Sequence, residues 1–105
     1  MNHSLCTIED LTPQQPRAFV AGNQKILLVK TDAGIFATEN MCPHQSRPID
    51  TGLVTGDTLR CIYHGVTISL IDGTLRDTAG FLNLPGARTF QVTVCGNNVS
   101  VEIPD

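Results

Sequence analysis

Apolar and polar positions alternate most clearly near the C-terminal end of the chain. Phe90, Val92 and Val94 fall on one side of an extended backbone and Gln91 and Thr93 on the other. That period of two marks a strand with one buried face, so this stripe is assigned to the core. Gly96-Asn97 then turns the chain, and Val99, Val101 and Ile103 resume the alternation. A second hairpin is predicted earlier, where Arg17 to Ala21 and Gln24 to Thr31 flank Gly22-Asn23. Asp32-Ala33-Gly34 makes a further turn into Ile35 to Thr38, and Leu5 to Ile8 reads as a short first strand. Pro13 and Pro16 keep the segment between irregular, and Glu9 to Gln15 has room for a single helical turn. No other window has a helical period. Twelve threonines and sixteen Ile plus Val reinforce the preference for strands. The expected architecture is all-β, an antiparallel sandwich or barrel.

The stretch from Asn40 to about Pro85 breaks this regularity. It holds a long Pro- and Gly-punctuated loop, Met41 to Gly52, and its strand signals are unevenly spaced. Irregular loops carried on a rigid sheet are where sites usually lie. The chain's 105 residues suit one domain, 1–105, with no repeat or linker. Leu, Ile, Val and Phe make up 30 residues, too many for a disordered chain. Net charge is −3, basic residues occur singly, and there are only five aromatics, which excludes a nucleic-acid platform. The longest aliphatic run, Ile26 to Val29, is far short of a membrane span, and no signal-peptide core is present. A soluble, cytoplasmic protein with reduced thiols is expected.

Four cysteines stand at positions 6, 42, 61 and 95. Cys6 and Cys95 lie in strand-like segments and are assigned to the core; His3, near the terminus, is assigned to solvent. Cys42 and Cys61 keep different company. Cys42-Pro43-His44, sixteen further residues, and Cys61-Ile62-Tyr63-His64 form the pattern C-x-H-x16-C-x-x-H. Thiolate and imidazole together suit zinc or an iron–sulfur centre of mixed ligation. A single residue between Cys42 and His44 is awkward for wrapping one tetrahedral ion. It is easier to reconcile with a binuclear cluster, where neighbouring ligands reach different irons.

This pattern, with Gly65 following the second pair, resembles the Rieske [2Fe-2S] signature. The resemblance extends to Gln45 through Gly52 as a first cluster loop and to Val66 through Leu70 with Asp72-Gly73 beyond the second. It also includes Asn83-Leu84-Pro85-Gly86 as a covering proline loop and the Phe90 to Ile103 hairpin as closing strands. It implies the Rieske fold, with a small cluster-binding subdomain of two loops within about 40–85. It implies one [2Fe-2S] cluster, with Cys42 and Cys61 on one iron and His44 and His64 on the other, at the tip where electrons leave.

The chain has three histidines, so only His3 would be left to build a mononuclear iron centre, which needs two His and a carboxylate. It also lacks a G-x-G-x-x-G fingerprint for a nicotinamide or flavin nucleotide. An electron carrier without catalytic residues is therefore expected. High-potential members of the resembled family have an inter-loop disulfide at the positions of Arg47 and Tyr63, and hydroxyls at those of Val66 and Ile68. Their absence implies a low-potential centre, because hydrogen bonds to sulfur raise the potential. A positive charge at Arg47 or Arg60 would push it upward, but both are read as solvated and so count for less than a direct hydrogen bond; Arg47 is also a candidate rim contact. The resemblance thus implies a soluble ferredoxin passing electrons from a ferredoxin reductase to a terminal oxygenase. The alternatives are a nitrite reductase small subunit and, from another class, a Cys2His2 zinc interaction module.

Overall fold

The computed structural model describes residues 2–41, 48–49, 52–61, 65–77, 80 and 86–103. Eleven strands are formed among them, in three antiparallel sheets. The first sheet has the order β1 (Asn2–Thr7), β11 (Asn98–Glu102), β10 (Val92–Cys95). The second runs β2 (Arg17–Ala21), β3 (Gln24–Thr31), β4 (Gly34–Glu39), β9 (Thr89–Phe90). The third runs β5 (Leu53–Thr55), β6 (Thr58–Arg60), β7 (Thr67–Ser69), β8 (Leu75–Asp77). The predicted single helical turn is a short 3-10 segment, Ile8–Asp10. Among the described residues no helix is long and apolar enough to cross a membrane. The expected all-β antiparallel architecture is thus observed, and among the described residues no sheet closes into a barrel.

The middle sheet is covered on both faces because β3 is apolar on both. Ile26, Leu27, Leu28 and Val29 are all 0% exposed. Successive strand residues point to opposite faces. Ile26 and Leu28 accordingly enter one core with Ala37, Phe90, Val99, Val101 and Ile103, between the first and second sheets. Leu27 and Val29 enter another with Ile49, Leu59, Cys61, Ile68 and Leu70, between the second and third sheets. A continuous apolar run of this length is what a strand buried on two faces requires.

The predicted hairpins at Gly22-Asn23, at Asp32-Ala33 and at Gly96-Asn97 are present, with Ala21 opposite Gln24, Thr31 opposite Gly34 and Cys95 opposite Asn98. The final stripe needs correction. Phe90 is not in the closing hairpin: it pairs with Ala37 in the middle sheet, and the chain changes sheets at Gln91. Val92 is half-buried, but Val94 is 45% exposed and Cys95 is exposed, so neither belongs to the core. Both stand at the turn end of an edge strand, beyond the area the facing sheet covers. Cys6 is half-buried against the first core, as expected of a packed thiol. Burial first, and the nearby Asp10 carboxylate second, push its pKa up, so it stays protonated.

The third sheet is the part that alternation did not reveal. Only the family resemblance pointed to a strand there, at Val66 to Leu70, and β5 to β8 have three residues each. Gly56-Asp57, the two-residue turn between Thr55 and Thr58, is the cue that marks this hairpin in the sequence.

Leu28 has no exposed surface and is held between two sheets, so Leu28→Ala should cost about 2–5 kcal/mol of stability. Urea unfolding measures this; a loss below about 1 kcal/mol would contradict close packing of the first core.

Candidate metal centre

The long first loop is closed at its base by a buried amide. Asn40 follows β4, and its Oδ1 accepts a hydrogen bond from the Ile49 N–H at 2.7 Å, while its own N–H donates to the Lys25 carbonyl. Asn40 and Ile49 are thereby joined across the stretch of sequence that contains Cys42 and His44. Ile49 is buried in the second core, and the Gly52 N–H donates to its carbonyl at 2.9 Å. Gly52 then touches β6. A Cβ placed there would stand 2.7 Å from the Arg60 carbonyl oxygen and 2.8 Å from Leu59 Cδ1, so no larger residue fits.

The second loop springs from the same strand. Cys61 directly follows β6 and is 4% exposed, within the second core. Its N–H donates to the Val66 carbonyl at 2.8 Å, and its carbonyl accepts from the Gly65 N–H at 2.9 Å. The chain thus leaves the sheet at Cys61 and rejoins it at Val66, and His64 lies between them in sequence. Gly65 completes that turn at φ +77°, a left-handed conformation that glycine adopts without steric cost.

A third stem braces these two. Gly73 and Gly86 meet backbone to backbone, and the Ala87 N–H donates to the Gly73 carbonyl at 2.8 Å. One residue on, the Arg88 carbonyl accepts from the Glu39 N–H at 2.8 Å, beside Asn40. These stems link Cys61, Gly52, Ile49, Asn40, Arg88 and Gly73 into a continuous frame. Asp72 rigidifies the last of them. Its Oδ1 accepts from the Thr74 hydroxyl at 2.7 Å and from the Thr74 N–H at 3.0 Å. Those two bonds, the hydroxyl's first, hold its carboxyl below the ordinary aspartate range.

Of the four ligands expected from the sequence, Cys61 is placed as a buried thiol at a fixed strand end. Cys42, His44 and His64 lie outside the described residues, as do Arg47, Tyr63 and the Asn83-Leu84-Pro85 segment. Val66 and Ile68 are both buried, and neither has a hydroxyl to offer a sulfur. Among the described residues no three His, Cys, Asp or Glu side chains gather at one point, so they hold no rival metal site. The donor set suits an iron–sulfur group. A soft thiol stands in an apolar wall, and its loop and the loop carrying Cys42 and His44 rise from stems in contact through Gly52. Sequence reading missed Asn40, Gly52 and Gly73 as framing residues. The glycines were visible, but what they touch was not.

Comparison with known proteins agrees with this geometry. The family profile described as Rieske [2Fe-2S] domain matches residues 2–91. The mouse protein called apoptosis-inducing factor 3 is 31% identical over 98 residues, which are 93% of this chain and 16% of that protein. The ferredoxin component of an alkene monooxygenase system from Xanthobacter autotrophicus is 33% identical over 70 residues, 66% of this chain and 57% of that one. The chain therefore spans about a sixth of the first relative and just over half of the second. Among solved structures, a Sphingomonas yanoikuyae ferredoxin superposes with a TM-score of 0.87 at 21% identity, covering 99% of this chain and 100% of its own. A nitrite reductase small subunit from Mycobacterium tuberculosis, described as putative and NADH-dependent, gives 0.85 at 15% identity, over 100% and 97%. At these identities the two structures attest the fold.

Two outcomes are expected. Gly52→Ala should cost about 1–3 kcal/mol by overpacking and lower the iron bound per chain, because it pushes the two stems apart. Undiminished iron and an unchanged melting temperature would show that the contact at Gly52 is not needed. The second outcome concerns pH. The Asp72 pKa is depressed by folding, so its stabilisation is complete above the unfolded aspartate value of about 3.9 and is lost as pH falls through the folded value. The stability advantage of the wild type over Asp72→Ala should be constant near neutrality and shrink in acid. Urea midpoints across pH measure this, and a difference that persists undiminished in strong acid would contradict it.

Proposed function

This chain belongs to the Rieske [2Fe-2S] family and is an electron carrier, and from that premise we propose that it is the ferredoxin of a multicomponent oxygenase system. In this role it takes one electron from a ferredoxin reductase and delivers one electron to a terminal oxygenase. No atoms are exchanged, so the balance is a single electron in and a single electron out. We assign Cys42 and Cys61 to one iron and His44 and His64 to the other. When bound, the cluster supplies a one-electron couple between its ferric and mixed-valence states.

The protein's own residues hold that centre and limit its reorganisation. The Asn40–Ile49 hydrogen bond and the Gly52 contact fix the base of the first loop. The Cys61–Val66 and Gly65–Cys61 hydrogen bonds fix the second. The Leu59, Ile68 and Leu70 side chains exclude water from beneath Cys61. We assign His44 and His64 to the side that meets a partner, across an interface at the small end of the range, below about 1,200 Å², as a shuttle that must dissociate requires.

One observation favours this role over a nitrite reductase subunit. The alkene monooxygenase ferredoxin is 33% identical over 70 residues, whereas the nitrite reductase small subunit resembles this chain in fold alone. Membership of the Rieske family sets aside the zinc interaction module.

The reduced protein should give the EPR signature of a mixed-ligand [2Fe-2S] centre. Cys42→Ser, His44→Ala, Cys61→Ser and His64→Ala should each lose most of the bound iron, while Cys6→Ser and Cys95→Ser keep it. Loss of the signal in Cys95→Ser with retention in His44→Ala would overturn the ligand assignment. The wild-type potential is expected near the low end of the Rieske range of about −150 to +300 mV, since Val66 and Ile68 offer no hydroxyl. Protein-film voltammetry measures it, and a value near the upper end would remove the case for an oxygenase ferredoxin.

A further inference from the structure

Arg60 is exposed, yet its guanidinium lies against a neighbouring loop. It is the last residue of β6, directly before Cys61, and its side chain reaches forward over the second ligand loop. A Cβ built on Gly65 would stand 3.1 Å from Arg60 Nη2, 3.4 Å from Nε and 3.7 Å from Cζ. Three guanidinium atoms thus lie against the one residue of the turn that has no side chain, next in sequence to His64. Strand register fixes where Arg60 starts. Leu53, Arg60, Thr67 and Asp77 stand opposite one another across β5 to β8, while their neighbours Val54, Leu59, Ile68 and Leu75 line the second core. Arg60 is therefore on the outer face. The absence of a Cβ at Gly65 opens the space its guanidinium occupies.

Resting on the ligand assignment above, we propose that Arg60 sets the balance between the oxidised and reduced centre by holding a positive charge against the second ligand loop. Two thiolates balance the +2 of the oxidised core, so the added electron makes the site negative by one. A cation resting on Gly65, in the loop assigned to the second ligand pair, favours that state. Asp77, on the same face, starts two strands away, roughly 10 Å at ordinary strand spacing, and opposes Arg60 from further off. Arginine suits the task because its guanidinium stays charged at every working pH and is flat enough to lie on a glycine.

Spectroelectrochemical titration of the holoprotein tests this with Arg60→Lys, Arg60→Gln and Arg60→Glu. At low salt, Arg60→Gln should lower the reduced-to-oxidised ratio at fixed ambient potential about threefold, or about 28 mV at 59 mV per tenfold for one electron. Arg60→Lys should retain most of the wild-type value and Arg60→Glu should fall below Arg60→Gln. The visible and EPR spectra should be the same throughout. The spread should narrow in about 1 M salt, where the Debye length is about 3 Å. Equal potentials in wild type and Arg60→Gln would overturn the proposal. So would an equal shift in Arg60→Lys and Arg60→Gln, which would make packing rather than charge responsible. Altered spectra with iron loss in Arg60→Gln would instead make Arg60 a structural prop and also overturn it. If all four iron-ligand variants kept their iron, the ligand assignment would fail independently of this series.

Discussion

A strand whose four central side chains are all shielded from water has to be covered twice, and β3 is such a strand. Ile26 and Leu28 need a partner sheet on one side, and Leu27 and Val29 need another on the opposite side. The first demand is met by β11, whose Val99 and Val101 face inward. The second is met by β6 and β7, and this is the demand that makes the site. Without the apolar surface that Leu27 and Val29 present, four strands of three residues each would have nothing to pack on. Hairpins of that length are not stable alone in water.

The second core does more than bury area. Cys61 is one of its members, so the thiol we assign to the cluster is positioned by the same contacts that attach the small sheet. The remaining loop stems are held by polar groups and by glycines. The Asn40 amide oxygen accepts the Ile49 N–H in a buried setting, where loss of either partner would leave the other unsatisfied at a cost of about 1–3 kcal/mol. Gly52 and Gly73 let backbones approach more closely than any side chain allows. Apolar packing thus sets where the loops begin, and hydrogen bonds and bare backbone set their spacing. A rigid frame suits a carrier, since little needs to move when charge changes by one.

Several features were legible along the chain. The two-faced burial of β3 is written as the unbroken run from Ile26 to Val29, and the hairpins at Gly22-Asn23 and Gly96-Asn97 as turn pairs between alternating stretches. The family was legible as well, because Cys and His recur in two short clusters and the Rieske profile matches residues 2–91. Val94 and Cys95 were misread. Alternation reports which way a side chain points but not how far the opposing sheet extends, and these two lie past its edge. Phe90 was assigned to the wrong sheet for a related reason: a strand that crosses between sheets at Gln91 keeps its sequence pattern while changing partners.

Local sequence thus decided the class of fold, the turns and the family, because each shows in residues within a few positions of one another. Tertiary structure alone decided the rest. The pairing of Leu53 with Arg60 and of Arg60 with Thr67, the meeting of Gly73 with Ala87, and the Asn40 clasp on Ile49 join residues from 7 to 14 positions apart. The approach of Arg60 to Gly65 spans only five residues, yet depends on the direction a strand end gives its side chain. No periodicity encodes such contacts, since they follow from how the sheets stack once both faces of β3 have been covered.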